Sequence, residues 1–167
     1  MRVIVLTRRS VMSTGGYQPQ FGTAAAGSAP GGLGKRTGAR FIDWIIAGIV
    51  GGILFWLLNK ADTPDWVSIL PGAGFGFLYF VGFEITTGST PGKKILGLHV
   101  RGSGGADKPN IKESALRNAY MLLNLIPYLG GLLWFIAAIA IAVTVNSSPT
   151  KQGWHDRLAG GTQVVDD

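Results

Sequence analysis

Three long apolar runs constrain the fold of this chain more than any other feature. Phe41–Leu58 reads FIDWIIAGIVGGILFWLL and carries one charge, Asp43, near its start. Trp66–Ile85 reads WVSILPGAGFGFLYFVGFEI, with Glu84 at its far end. Ala119–Val145 is apolar almost throughout. About 20 residues cross the hydrocarbon core of a bilayer, so each of the first two runs fits one crossing. Charged residues make up 14% of the 167-residue chain, against about 25% in ordinary soluble domains. A soluble protein of this length would have to bury all three runs, and no solvated face would remain for them. A disordered chain is excluded on the same grounds.

The third run is too long for one straight crossing. As a helix, its roughly 27 residues reach about 40 Å, against a core of about 30 Å. Asn124, Pro127 and the Gly130-Gly131 pair lie near its middle. Two readings stay open: a tilted or kinked single helix, or a helical hairpin that turns at Pro127–Gly131, with a first limb from about Glu113. The expected fold is therefore an all-α polytopic membrane protein with two transmembrane helices plus this third segment. The hairpin is the preferred form.

Charge sorts the two sides. Residues 1–40 hold Arg2, Arg8, Arg9, Lys35, Arg36 and Arg40 and no acid. The connection Thr86–Asn118 holds Lys93, Lys94, Arg101, Lys108, Lys112 and Arg117 against Asp107 and Glu113. The positive-inside rule puts the N-terminus and this connection in the cytoplasm of a multi-pass protein of the cell membrane. The tail after Val145 carries both signs and does not vote. Residues 1–34, rich in Gly, Ala, Ser, Gln and Thr, read as a disordered tail before a membrane domain at 35–165. Arg8-Arg9 lacks the apolar stretch of a twin-arginine signal. Met12 is an alternative start of translation to Met1.

Several chemistries are excluded. The chain has 0 Cys and 2 His, which removes disulfides, thiolate metal sites and thiol nucleophiles and makes an all-histidine metal site improbable. His155-Asp156 has no nucleophile beside it in an elbow motif, so no catalytic residues and no enzyme activity are expected. After Gly88–Lys93 comes Lys94 rather than Ser or Thr, so this is not a phosphate loop. The formal charge of +6 fits anionic headgroups better than nucleic acid, because the tryptophans sit mostly near helix ends, as interface anchors do. No cofactor or metal is expected.

Three pieces occur in order: KRTGARFID from Lys35, TPGKKILGLHV from Thr90, and GWHDRLAGGTQVV from Gly153. Set around the apolar runs, they resemble the RDD family of small membrane proteins over roughly residues 34–165. The family is named for one arginine and two aspartates. The resemblance implies Arg36, with Arg40 as competitor, for the arginine, and Asp43 and Asp156 for the aspartates. Its molecular role is generally regarded as unknown, with transport of unidentified ligands suggested. One departure is Ala159-Gly160-Gly161-Thr162, where the family more often has a single glycine before the threonine. That puts the register of the last strand in doubt.

Physically, Arg36 and Asp43 are seven apart and share a helix face, with Arg40 bordering it. A lone carboxylate one turn inside an apolar run is costly, and a neighbouring arginine would keep it ionised. If the tail is cytoplasmic, Asp156 joins them. The candidate site for an ion or small solute is then Arg36, Arg40, Asp43 and Asp156. A purely structural charge cluster that docks the tail is the competing reading. Glu84, Lys93, Lys94 and His155 are secondary candidates. The plainer expectations are a solvated Glu84, headgroup anchoring by Lys93 and Lys94, and tail docking by His155. ILGLHV and GTQVV are β-like and expected to pair on the cytoplasmic side. Gly48-x-x-x-Gly52 and Gly72-x-x-x-Gly76 predict close helix contact, within one chain or in a homo-oligomer. The expected function is a membrane protein with transport through the charged cluster, or else an accessory or scaffold protein of a membrane complex.

Overall fold

The computed structural model describes residues 28–61 and 65–167. The expected tail lies mostly outside the described residues. Its last part does not behave as a tail: Pro30 bridges Val165, and Gly31 N–H donates to the Val164 carbonyl at 3.0 Å.

Helix α1 (Leu33–Lys60) begins two residues before the expected start. Its 28 residues give about 42 Å of length. Lys60 in the last turn complements the helix dipole. Only Ala39 and Asp43 of α1 are buried. Beyond Asp43, Ile45, Ile49, Ile53, Trp56 and Leu57 are all at least half exposed. A helix that is apolar all round and unburied has a hydrocarbon solvent, not an aqueous one. Helix α5 (Gly130–Ser147) repeats this pattern, with only Gly130 and Val145 buried. These two helices are long and apolar enough to cross a membrane. Between them, α2 (Asp65–Thr87) packs along α1 and buries Tyr79, Phe80, Val81 and Glu84 at its C-terminal end.

The remaining elements gather at one end of these helices. Helix α3 (Pro91–Ile95) is a single turn with proline at its start and the Thr90 side chain as its N-cap. Strand β1 (Leu98–Arg101) follows. Helix α4 (Ile111–Asn118) starts with a reciprocal capping box, Asn110 on Glu113 N–H and Glu113 on Asn110 N–H. Helix α6 (Trp154–Leu158) and strand β2 (Gln163–Asp166) close the chain. β1 and β2 pair antiparallel, Leu98 opposite Asp166 and Arg101 opposite Gln163, as their β-like composition predicts. Gly160 and Gly161 precede β2 with φ of 87° and 89°, so each takes a conformation that disfavours side chains. The doubled glycine builds the turn. Leu98, Val100 and Val164 pack with Ala39 of α1 into a small core beneath the sheet. Burying each of the leucine and valine side chains stabilises by about 1.5–3 kcal/mol.

The third apolar run is not one helix. After α4 it is a 3-10 helix over Ala119–Leu125, then a turn through Pro127 and Tyr128, then α5. Tyr128 takes φ of 63° in that turn. The 3-10 piece packs against both α2 and α5, and α4 and α5 both touch α6. The start and the end of the run therefore meet at the same end of the molecule.

The glycine spacing on α1 has no partner among the described residues: around Gly48 and Gly52 a methyl group would find open space. Gly76 does meet a neighbour, Met121 of the 3-10 piece, at 3.4 Å from an added Cβ.

Candidate functional site

The polar end of the molecule holds three fully buried carboxylates, and each has its own set of partners. Asp43 accepts from Tyr79 Oη at 2.9 Å, Thr90 Oγ1 at 2.5 Å and the Gly92 N–H at 2.8 Å. Gly92 has no side chain for a reason. A Cβ there would lie 2.3 Å from the Ala39 carbonyl and 2.8 Å from the Asp43 carboxyl carbon. The Thr90-Pro91-Gly92 turn thus caps Asp43 with a hydroxyl and a backbone donor. No arginine pairs with Asp43 among the described residues, contrary to the expectation from their shared helix face.

Glu84 is also fully buried, not solvated as expected. It accepts from Lys93 Nζ at 2.5 Å, Ser114 Oγ at 2.8 Å and Asn118 Nδ2 at 3.0 Å. Lys93 is therefore drawn inward, 5% exposed, rather than anchoring to headgroups. Burial depresses its ammonium to about 8, although Glu84 pulls the other way. Lys94, the next residue, is exposed and stands outside the cluster.

Asp156 is the hub of the third set. Its carboxylate accepts from the Gly153 N–H at 3.1 Å, Thr162 Oγ1 at 3.3 Å and Arg36 Nη1 at 3.4 Å. Arg117 Nη2 lies 3.2 Å away as an ion pair. Burial would push Asp156 up, but Arg117, His155 and Arg36 hold it below the usual carboxylate range. Arg36 fixes α1 to the C-terminal strand as well, donating to the carbonyls of Gly31 at 2.9 Å and Val164 at 3.1 Å. Of the four primary candidates, the fold thus brings Arg36 and Asp156 together and gives Asp43 and Arg40 other partners.

Arg40 stands differently. Its guanidinium lies 4.0 Å from the Phe80 ring centroid and donates to Asn118 Oδ1 at 3.3 Å and 3.4 Å. No carboxylate lies within 4 Å of it among the described residues. His155 is 4% exposed, edge-on to Tyr120, and burial depresses its imidazole to about 4. It is neutral at physiological pH. The layer therefore sets four cations (Arg36, Arg40, Lys93, Arg117) against three carboxylates, a single positive charge in excess.

That excess faces a cavity of about 260 Å³ between α1 and α5. Arg36, Arg40, Lys93, Arg117 and His155 line one end of it. Phe41, Trp44, Ala138, Ile141 and Ala142 line the other, while Val145 sits beside Gly153 and His155 at the polar end. All three buried carboxylates are absent from the lining. Arg117, 2% exposed, leaves its Nη1 and Nε without a hydrogen-bond acceptor among the described residues. A buried guanidinium with free N–H groups is costly unless something else satisfies it. Among the described residues no group of three or more His, Asp or Glu side chains is arranged to hold a metal ion.

Arg117 is the residue that sequence reasoning missed. It bridges Glu84, at 3.9 Å, and Asp156. It reads as one more basic residue in a basic connection. The signal was its position: it is the last charge before the third apolar run, at the end of a helix whose capping box is legible in Asn110 and Glu113.

A buried charged layer at the end of two unburied apolar helices defines a membrane-type helical protein. The RDD family model matches residues 30–160, and the chain belongs to the RDD family. No curated protein and no solved structure matches it significantly.

Proposed function

We propose that this protein is a multi-pass protein of the cell membrane that binds an anionic solute from the cytoplasmic side and takes part in its transport. α1 and α2 each cross once in this reading. The 3-10 piece rises about 14 Å and enters as a re-entrant limb, and α5 returns to the cytoplasm. The basic residues around the polar layer support a cytoplasmic position. The observation that carries the reading is the cavity: its polar end gathers Arg36, Arg40, Lys93 and Arg117 with no carboxylate in the lining, and Arg117 Nε and Nη1 have no hydrogen-bond acceptor among the described residues. Glu84 and Asp156 hold Lys93, Arg117 and Arg36 in place, Asp43 is satisfied by neutral donors, and none of the three lines the cavity. With few spans per chain, a transport route calls for a homo-oligomer, and the open glycine face of α1 at Gly48 and Gly52 suits one.

One observation favours a second reading, an accessory or scaffold protein. The carboxylate network already docks the C-terminal segment onto α1, so it has a structural task without any ligand. Electrogenic currents from proteoliposomes on solid-supported membranes separate the two. On rapid jumps of inorganic phosphate, sulfate or acetate, transport predicts a current that Arg40→Gln abolishes while the protein still inserts. Silence with every anion, together with loss of a co-purifying complex in Arg40→Gln cells, establishes the scaffold role instead.

A further inference from the structure

The cavity is divided by chemistry along its length. At the polar end, Arg40 has no carboxylate partner and Arg117 has free N–H groups. At the other end the walls are hydrocarbon: Phe41 and Trp44 of α1, Ile141 and Ala142 of α5. Trp44 stacks at a tilt on Trp134, centroids 5.1 Å apart, and so ties α1 to α5 below the cavity. Both walls belong to helices whose outer faces are apolar and unburied, so the apolar end lies at the depth of the acyl chains in the proposed orientation. The volume, about 260 Å³, is many times what a single small inorganic anion occupies. An inorganic anion would fill the basic end and leave the apolar end empty. A neutral lipid tail would fill the apolar end and leave the guanidiniums unsatisfied.

We infer that the occupant is an anionic amphiphile drawn from the membrane, its phosphate or carboxylate head on Arg40 and its acyl chain along Trp44, Ile141 and Ala142, with Arg117, whose free nitrogens are closed to solvent, adding field from behind the cavity wall. This rests on the anion-binding reading above and narrows it to a lipid-like substrate class. One head of charge −1 balances the single excess cation of the layer. The planar Arg40 guanidinium suits a phosphate or carboxylate, which can accept two parallel hydrogen bonds from it. Arg36 and Lys93, committed to Asp156 and Glu84, supply field rather than contacts. Entry is lateral, between α1 and α5, and needs no aqueous pore.

The test uses the full-length protein in neutral maltoside micelles. The probe is 11-bromoundecyl phosphate, whose bromine quenches tryptophan, with 11-bromoundecanol as the uncharged control and inorganic phosphate as competitor. The expected result is saturable quenching by the bromoalkyl phosphate, reduced in Trp44→Phe and lost when Trp134→Phe is added, since the two rings are neighbours, with only weak unsaturable quenching by the alcohol. Inorganic phosphate should displace it only at a concentration at least 100-fold higher. Arg40→Gln and Ala142→Phe, which fills the apolar end, should each weaken binding at least 10-fold. If Arg40→Gln does not fold, Ala142→Phe carries the test, since it adds bulk beside an existing space. Inorganic phosphate binding as tightly as the amphiphile, with Ala142→Phe without effect on either, would overturn the amphiphile and leave the anion site standing. Equal quenching by alcohol and phosphate, with no displacement by inorganic phosphate, would overturn both.

Discussion

The two parts of helix α1 are built on opposite rules. From Leu33 to Asp43 the helix packs into a polar layer, where Arg36, Ala39, Arg40 and Asp43 each meet a specific neighbour. From Ile45 to Lys60 it exposes most of its isoleucines and leucines and Trp56, apart from a strip at Ile46 and Ala47 that packs toward Tyr79 and Phe80, and its glycines meet nothing among the described residues. The first part is specified residue by residue. The second is specified only by length and hydropathy, which any apolar side chain supplies. The same division separates α4 and α6 from α5. Sensitivity to substitution should follow this division.

The largest effect is expected at Asp156. Asp156→Ala leaves Arg36 and Arg117 buried beside a missing charge, and breaking one side of a buried pair costs about 3–5 kcal/mol. Folded yield in detergent should collapse, while Asp156→Asn retains part of it through the Gly153 and Thr162 contacts. Next comes acid. His155 binds its proton near pH 4 when folded and near 6.5 when unfolded, so the unfolded chain takes up more protons between those values. Stability therefore falls as pH drops from about 6.5 to 4, by up to about 3 kcal/mol at 1.36 kcal/mol per unit. Thermal unfolding in detergent across this range measures the slope, and His155→Gln should flatten it.

Gly92→Ala is third. The added methyl group forces the turn away from Ala39 and Asp43, and losing the Gly92 N–H bond to Asp43 adds to the clash. A cost of about 2 kcal/mol is expected from overpacking and a weakened buried hydrogen bond. The smallest effect is expected on the far part of α1. Gly48→Leu should change the stability of an isolated chain by less than about 0.5 kcal/mol. If it instead shifts the oligomer distribution seen by cross-linking in membranes, the open glycine face is a contact between chains.

How much of this was legible in the sequence follows the same division. Apolar runs and β-like composition are local, and they placed α1, α2 and the β1–β2 pair close to their observed limits, whereas α4 was merged with the limb expected from about Glu113. The break of the third run at Pro127 was visible because proline and glycine punctuate helices wherever they stand. The partners of the charges were not. Arg36 and Asp43 share a helix face, yet the Asp43 carboxylate is taken by α2 and the Thr90 turn, and Arg36 by the C-terminal segment. Glu84 looks solvated at a helix end until Lys93, Ser114 and Asn118 fold over it. Such pairings depend on which elements dock, information that is spread over residues 79–162.

The central claim is that the polar layer, and with it the cavity, lies on the cytoplasmic side with the chain's C-terminal segment. The chain has no cysteine, so single sites can be labelled with a membrane-impermeant maleimide without background. Lys112→Cys, Ser147→Cys and Lys60→Cys, all at exposed positions, report the two ends of the molecule. The account predicts that in intact cells only Lys60→Cys is labelled, and that Lys112→Cys and Ser147→Cys react only after lysis. Labelling of Ser147→Cys but not Lys112→Cys in intact cells would put Asp156 and Arg36 on opposite sides of the membrane and contradict it.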